Sequence, residues 1–359
     1  MNIDLSFLKK HFFHKNHINE ETNKKSHKTR IVEYCFYSVN EANISNKIKK
    51  IPYYSNFYSI LEDYDSINIK SIDEKIIENV KLLNKNKQYL LFTYKTHNNF
   101  LTSELVTFHD FLFNFKNCKI LILNVISSFS YLLDSLIQLE DNNICFFQLS
   151  AENIIFDEEL RENPLLKDFQ LSLQISKLNE EYITNIIKKT KNYRFKPLEV
   201  HILFYLIENN INTISYSIIE EIVEYFIENL SILCFFSQNY KDLYKSQSIE
   251  CLKKYINKSK DYIIGDILKQ NSKWDVYGIS VLYLHIFANI SRVFSLKQTF
   301  IGKISIELFK GCHPDPIKRI NLIELREILQ KTLDLQKDWS FVNSLDNKKM
   351  FKLLNYLKE

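Results

Sequence analysis

Two short segments hold most of the side chains that could do chemistry. In the first, Gln148-Leu149-Ser150-Ala151-Glu152-Asn153 forms a polar turn between the apolar runs Ile144 to Phe147 and Ile154 to Phe156. In the second, Asp168 follows Leu165-Leu166-Lys167 and precedes Phe169-Gln170. Glycine limits what these segments can handle. The chain has 4 glycines, the first being Gly265, and a loop that brings its backbone up to phosphate relies on a residue without Cβ. No phosphate-cradling glycine loop can therefore exist before that point. His14 and His17 could be written as a metal motif, but no second ligand pair follows, and a solvated segment is the better reading. The six cysteines (Cys35, Cys118, Cys145, Cys234, Cys251, Cys312) are far apart with no CxxC. That pattern fits reduced thiols inside a cell and argues against zinc.

The elements that must position these residues are readable in outline. Arg30 to Val39 is a β-branched and aromatic run of strand length, and Asn40 to Ile51 reads as a short helix with Asn40 as N-cap. Residues 52–69 alternate aromatic and polar side chains, a strand and turn, and Tyr89 to Tyr94 is a buried strand. Thr107 to Phe115 and Lys119 to Leu139 read as helices. The second places Ile120, Ile122, Val125, Phe129, Leu132, Leu133, Leu136 and Leu139 on its apolar face. Beyond residue 200 the chain falls into amphipathic helical blocks. Strands first and helices afterwards is the order of an α+β protein.

Taken in sequence, these segments resemble the protein kinases. In that family a long helix leads into a loop of the form H-R-D-L-K-P-E-N, then a strand pair, then D-F-G. Here the helix to Leu139 runs into Phe146-Phe147-Gln148-Leu149-Ser150-Ala151-Glu152-Asn153, and Asp168-Phe169-Gln170 follows at about the family's interval. Three later segments agree. Tyr193-Arg194-Phe195-Lys196-Pro197-Leu198-Glu199 looks like the stretch ending in A-P-E. Lys273-Trp274-Asp275-Val276-Tyr277-Gly278 is similar to the D-x-W-S-x-G start of the family's central buried helix. Asp315-Pro316-Ile317-Lys318-Arg319 resembles D-P-x-x-R. The resemblance implies a bilobal α+β fold, with a reduced β-rich N-terminal lobe over 30–95 and a helical C-terminal lobe over 96–335. Residues 1–29 would be a weakly ordered lead-in and 336–359 a tail. It also implies that Asp275 holds the loop by its backbone, and that Glu199 and Arg319 form a buried bidentate pair.

The same resemblance exposes what is missing. Phosphotransfer in the family uses a base, metal-binding Asn and Asp, a strand Lys and a glycine-rich cover. Gln148 stands in the base position and cannot take a proton from a hydroxyl. Ser150 stands where the loop Lys would be. The strand Ile31 to Val39 contains no Lys, since Lys28 and Lys47 lie outside it. Asn153 and Asp168 remain, implying either residual Mg²⁺ and ATP binding or a structural use, with Asn153 bracing the loop and Asp168 capping a turn. Glu199 and Asp275 are 76 positions apart, far more than the family needs. The extra stretch, at about 200–262, holds helical runs at Tyr216 to Phe236 and Ile249 to Leu268. It is either an extension of the core or a partner-binding surface.

The expectation is a pseudokinase that acts as a scaffold or regulator through protein partners. A divergent Ser/Thr protein kinase is the alternative, and an all-helical interaction protein the third reading. In style the chain is similar to kinase-like proteins of large AT-rich DNA viruses. Its net charge of +4 is small for 359 residues, with acids and bases interleaved, which argues against a nucleic-acid groove. No run of 18 uncharged apolar residues points to a membrane span, and Met1 to Lys10 has no apolar signal core. A cytoplasmic protein, in a host cell if viral, is the resulting expectation.

Overall fold

The computed structural model describes residues 27–67, 86–95, 106–108, 111, 117–156, 163–190 and 196–335, with 349, 352, 353 and 356. His14, His17, Tyr193 to Phe195 and most of 336–359 lie outside the described residues, as does most of Thr107 to Phe115. The protein is α+β, with short sheets in its N-terminal part and helices through most of the remainder.

Strand β1 (His27–Glu33) begins before the expected boundary and stops six residues before Val39. The reason is local. Ser38 Oγ accepts from the Cys35 N–H at 3.0 Å and donates to the Glu33 carbonyl at 2.8 Å. This capping turn starts helix α1 (Phe36–Ile48) with Cys35 as its N-cap. The strand propensity of Phe36 and Tyr37 is overridden. Asn40 therefore sits inside the helix rather than at its start.

Next come β2 (Tyr58–Ser59), β3 (Leu61–Ile67) and β4 (Tyr89–Lys95). β4 pairs antiparallel with both β1 and β3, giving a sheet of order β1-β4-β3. Leu90 and Phe92 alternate onto its inner face and pack with Leu61 and with Ala42 of α1. That contact fixes the helix against the sheet.

After β5 (Val106–Thr107), which takes Thr107 out of the expected helix, comes α2 (Cys118–Asp141). Asn117 caps it by accepting from Lys119 N–H at 2.8 Å. Its stripe from Ile122 to Leu139 is buried as expected. Ile120 is not, being 48% exposed in the first turn. Lys119–Asp141 is long and apolar enough to cross a membrane, but about half of it is packed inside the protein.

Three short pairings then bracket the polar segments. β6 (Ile144–Cys145) pairs with β9 (Leu173–Gln174). β7 (Ile154–Phe156) pairs antiparallel with β8 (Pro164–Lys167), and β2 lies parallel to β8.

The remaining chain is helical: α3 (Glu180–Lys189), α4 (Leu198–Glu208), α5 (Tyr216–Asn229), α6 (Gln238–Leu252), α7 (Lys260–Leu268), α8 (Trp274–Ser291), α9 (Phe300–Gly311) and α10 (Leu322–Leu335). Nearly every residue of α8 is buried, which makes it the axis of this part. The extra stretch contributes three helices where two runs were expected. Ser215, Ser237 and Ser259 start α5, α6 and α7 in turn, each accepting from an N–H three residues on. Ile219, Val223, Phe226, Ile263 and Ile267 from this stretch join the main core.

Candidate functional site

The loop between β6 and β7 is held from below. Asp275, in the first turn of α8, accepts from the N–H groups of Phe146 at 2.7 Å and Phe147 at 2.8 Å. Burial pushes its carboxyl up, while those two N–H groups pull the other way. The grip matters because Phe147 lies in the left-handed region at φ 64°, a conformation that costs a bulky residue about 1–3 kcal/mol unless its surroundings enforce it. Phe146 carries the contact upward. Its ring lies 5.2 Å from Phe169, and Phe169 lies 6.0 Å from Tyr58 of β2. A buried aromatic column thus runs from the sheet of β2, β8 and β7 down to the α8 carboxylate.

A second anchor lies deeper. Arg319 donates to both oxygens of Glu199, at 2.6 and 2.7 Å, with side-chain exposures of 0% and 3%. Its Nε donates to the His313 carbonyl at 2.6 Å, and its guanidinium lies 5.1 Å from the Tyr277 ring centre. The pair is bidentate and further hydrogen-bonded, the arrangement a buried ion pair needs to offset its desolvation. It ties the start of α4 to the turn before α10.

Above these anchors the four polar positions come together. Continuing the β7–β8 register by one residue sets Asn153 across from Lys167, beside Asp168. The Gln148 side-chain amide donates to the Asp168 carbonyl. Ser150 Oγ donates to Asn153 Oδ1 at 2.6 Å. Asp168 is left-handed, with φ 63° and ψ 64°. Its half-exposed carboxylate lies 3.9 Å from Lys167 Nζ. Asn153 and Asp168 supply an amide oxygen and a carboxylate. Both are hard donors that suit Mg²⁺ bound largely through phosphates and water. Ser150 already engages the Asn153 oxygen, however, and among the described residues no group of three His, Cys, Asp or Glu gathers to hold a metal.

Helix α1 and strand β4 hold residues that the sequence reading missed. Glu41 of α1 accepts from the Tyr94 hydroxyl of β4 at 3.1 Å. Burial pushes its carboxyl up to about 7; the Tyr94 bond lowers it, the negative charge of Asp168 raises it, and Arg30 of β1 lowers it. Arg30, Glu41, Tyr94 and Asp168 thus share one electrostatic neighbourhood. The strand also contains Lys28, contrary to the expected boundaries. Lys47 sits in the last turn of α1, 3.4 Å from Ser176 Oγ. A base on a strand followed by an acid in the next helix was the available signal, since Arg30 and Glu41 both fell within the expected strand and helix.

Asn40 has a different use. Its Nδ2 donates to the carbonyls of Gln170 at 3.0 Å and Ser172 at 2.8 Å, and its Oδ1 accepts from Tyr182 of α3. α1 is thereby fastened to the segment following Asp168. Lys196, given no role from sequence, is buried with its amine 3.8 Å from the Phe147 ring centre and no hydrogen-bond partner. Burial pulls that amine down to about 7.

No family model matches the chain, and neither does any curated protein. Among solved structures it is similar to a "Twitchin kinase region from C.elegans (Fn31-NL-kin-CRD-Ig26)", with 13% identity and a TM-score of 0.42. The likeness covers 92% of this chain and 45% of that one, so the chain spans less than half of that structure's length.

Proposed function

We propose that this chain is a kinase-like protein without useful phosphotransfer, acting as an intracellular scaffold or regulator through protein contacts. The observation that carries the proposal is the state of Gln148. In the position of the family's base it offers an amide, and that amide is already bonded to the Asp168 carbonyl. An amide cannot accept the proton of an attacking hydroxyl. Ser150 adds no positive charge where charge would develop, and it engages the Asn153 oxygen that a metal would need. The anchors of the fold, by contrast, keep their charges.

A divergent Ser/Thr protein kinase is the second reading, favoured by one feature. Arg30 on β1 lies near Glu41 on α1, so a cation is present on the strand where the resemblance calls for a Lys. Bound Mg²⁺ and ATP would supply the transferable phosphoryl group. Asn153 and Asp168 would hold the metal, and Arg30 would face the phosphates.

Nucleotide binding measured by thermal shift, with and without Mg²⁺, separates the two. The scaffold reading expects no Mg²⁺-dependent shift. A shift that requires Mg²⁺ and vanishes in Asp168→Ala would favour the kinase reading.

A further inference from the structure

A half-open trough of about 520 Å³ lies between the extra stretch and helices α8 and α9. Phe235 and Phe236 form one wall, from the 3₁₀ turn Ser231–Phe235 and the residue after it. Leu284 and Phe287 of α8 form the floor, and Ile306 and Phe309 of α9 the other wall. Ile306 is 61% exposed, and Phe235, Phe236 and Phe309 are half-buried, so the apolar lining is open to water. The volume falls within the about 300–1,000 Å³ of ordinary ligand pockets. Its charges have one sign. Lys297 and Lys303 are the charged residues of the lining, and both are exposed. The nearest acid along α9, Glu307, lies 2.7 Å from Lys310 instead.

We propose that this trough docks a segment of a partner protein carrying two bulky apolar side chains flanked by carboxylates. Apolar anchors would fill the Phe235–Phe287–Ile306 trough, and Asp or Glu beside them would meet Lys297 and Lys303. Apolar burial supplies the affinity, while charge of complementary sign at the rim orients and selects. The open side favours side chains hung from a backbone running along the surface, since a free lipid tail would stay partly in water. One wall belongs to the extra stretch, so that stretch both extends the core and shapes the dock. The inference deepens the scaffold reading by naming the kind of partner. It does not depend on the cleft being inert, so peptide binding and phosphotransfer are scored separately.

The test uses the full chain, immobilised and panned against a displayed library of short random peptides. Selected peptides are then remade with a fluorophore and titrated by anisotropy. The expected winners carry paired Leu, Ile, Met, Phe or Trp next to Asp or Glu. Ile306→Asp, an exposed substitution that leaves the melting temperature in place, should weaken them about tenfold or more. Lys297→Glu with Lys303→Glu should weaken them severalfold and transfer preference to Lys-flanked versions of the same peptides. Absence of enrichment, winners without acids, or winners indifferent to Ile306→Asp would each overturn the proposal. So would a dimer in sedimentation equilibrium that Ile306→Asp dissociates, because a second copy would then be the occupant.

Discussion

The floor of this protein and the loop it holds treat charge in opposite ways. In the floor, Glu199 and Arg319 form a buried, bidentate pair, and Asp275 holds two backbone N–H groups. Around the loop, Gln148, Ser150 and Asn153 are neutral and hydrogen-bonded locally, beside the half-exposed carboxylate of Asp168. The difference separates charges that the fold requires from positions where it does not require one. A buried charge with a partner cannot be dropped without stranding the other, whereas a part-buried polar side chain with one hydrogen bond can be exchanged at little cost in stability.

The comparison can be broken most forcefully at Arg319. Arg319→Ala strands the buried Glu199 carboxyl without its partner, which should cost about 3–5 kcal/mol and show as a large fall in the urea midpoint. A cost near zero would mean the pair anchors nothing. Lys196 should behave in the opposite way, as a buried amine without a hydrogen-bond partner. Its amine is pulled down from 10.5 to about 7, so the folded state resists protonation. Stability is then full above the unfolded value and falls as pH drops toward 7. Lys196→Met should therefore stabilise the protein near neutrality by about 1–3 kcal/mol, with the gain fading toward pH 10.

In helix α1, Glu41 sharpens the same contrast. Its carboxyl is raised from 4.5 to about 7, so its stabilising contribution is complete below the unfolded value and is lost as pH rises through 7. At about 1.4 kcal/mol per unit, reduced by partial water access, the swing should be about 1–2 kcal/mol. Glu41→Gln should remove it, which stability measured at pH 4.5 and pH 7.5 would reveal. The smallest effect belongs to Gln148→Asp. The side chain is part-buried with one hydrogen bond, and its exchange should change stability by only about 1 kcal/mol.

Much of the site could be read from the chain because its parts are short runs of unusual residue types. Glu152-Asn153, Asp168-Phe169 and Asp315-Pro316 with Arg319 interrupt apolar sequence at fixed intervals, and each such interruption has a physical use. Helix α1 and strand β4 were less legible. The turn at Cys35 and Ser38 depends on one hydroxyl that a strand-like run of Tyr34, Phe36 and Tyr37 conceals. Glu41 fell within the expected helix, but its partner Tyr94 lies 53 residues away, a pairing that no local pattern announces. Helix α6 escaped notice for another reason. Its sequence is largely polar, and only Tyr244, Ser248 and Leu252 are buried, so periodicity alone gives a weak signal. The capping serine at 237 was the better clue.

The most direct test of the proposed lack of phosphotransfer is transfer of the γ-phosphoryl group of ATP, with Mg²⁺, to the full chain itself or to a generic protein substrate. The account predicts no incorporation above the Asp168→Ala control, and none gained by Gln148→Asp, because neither a glycine cover nor a loop lysine is restored. Steady incorporation by the unaltered chain that disappears in Asp168→Ala would contradict it.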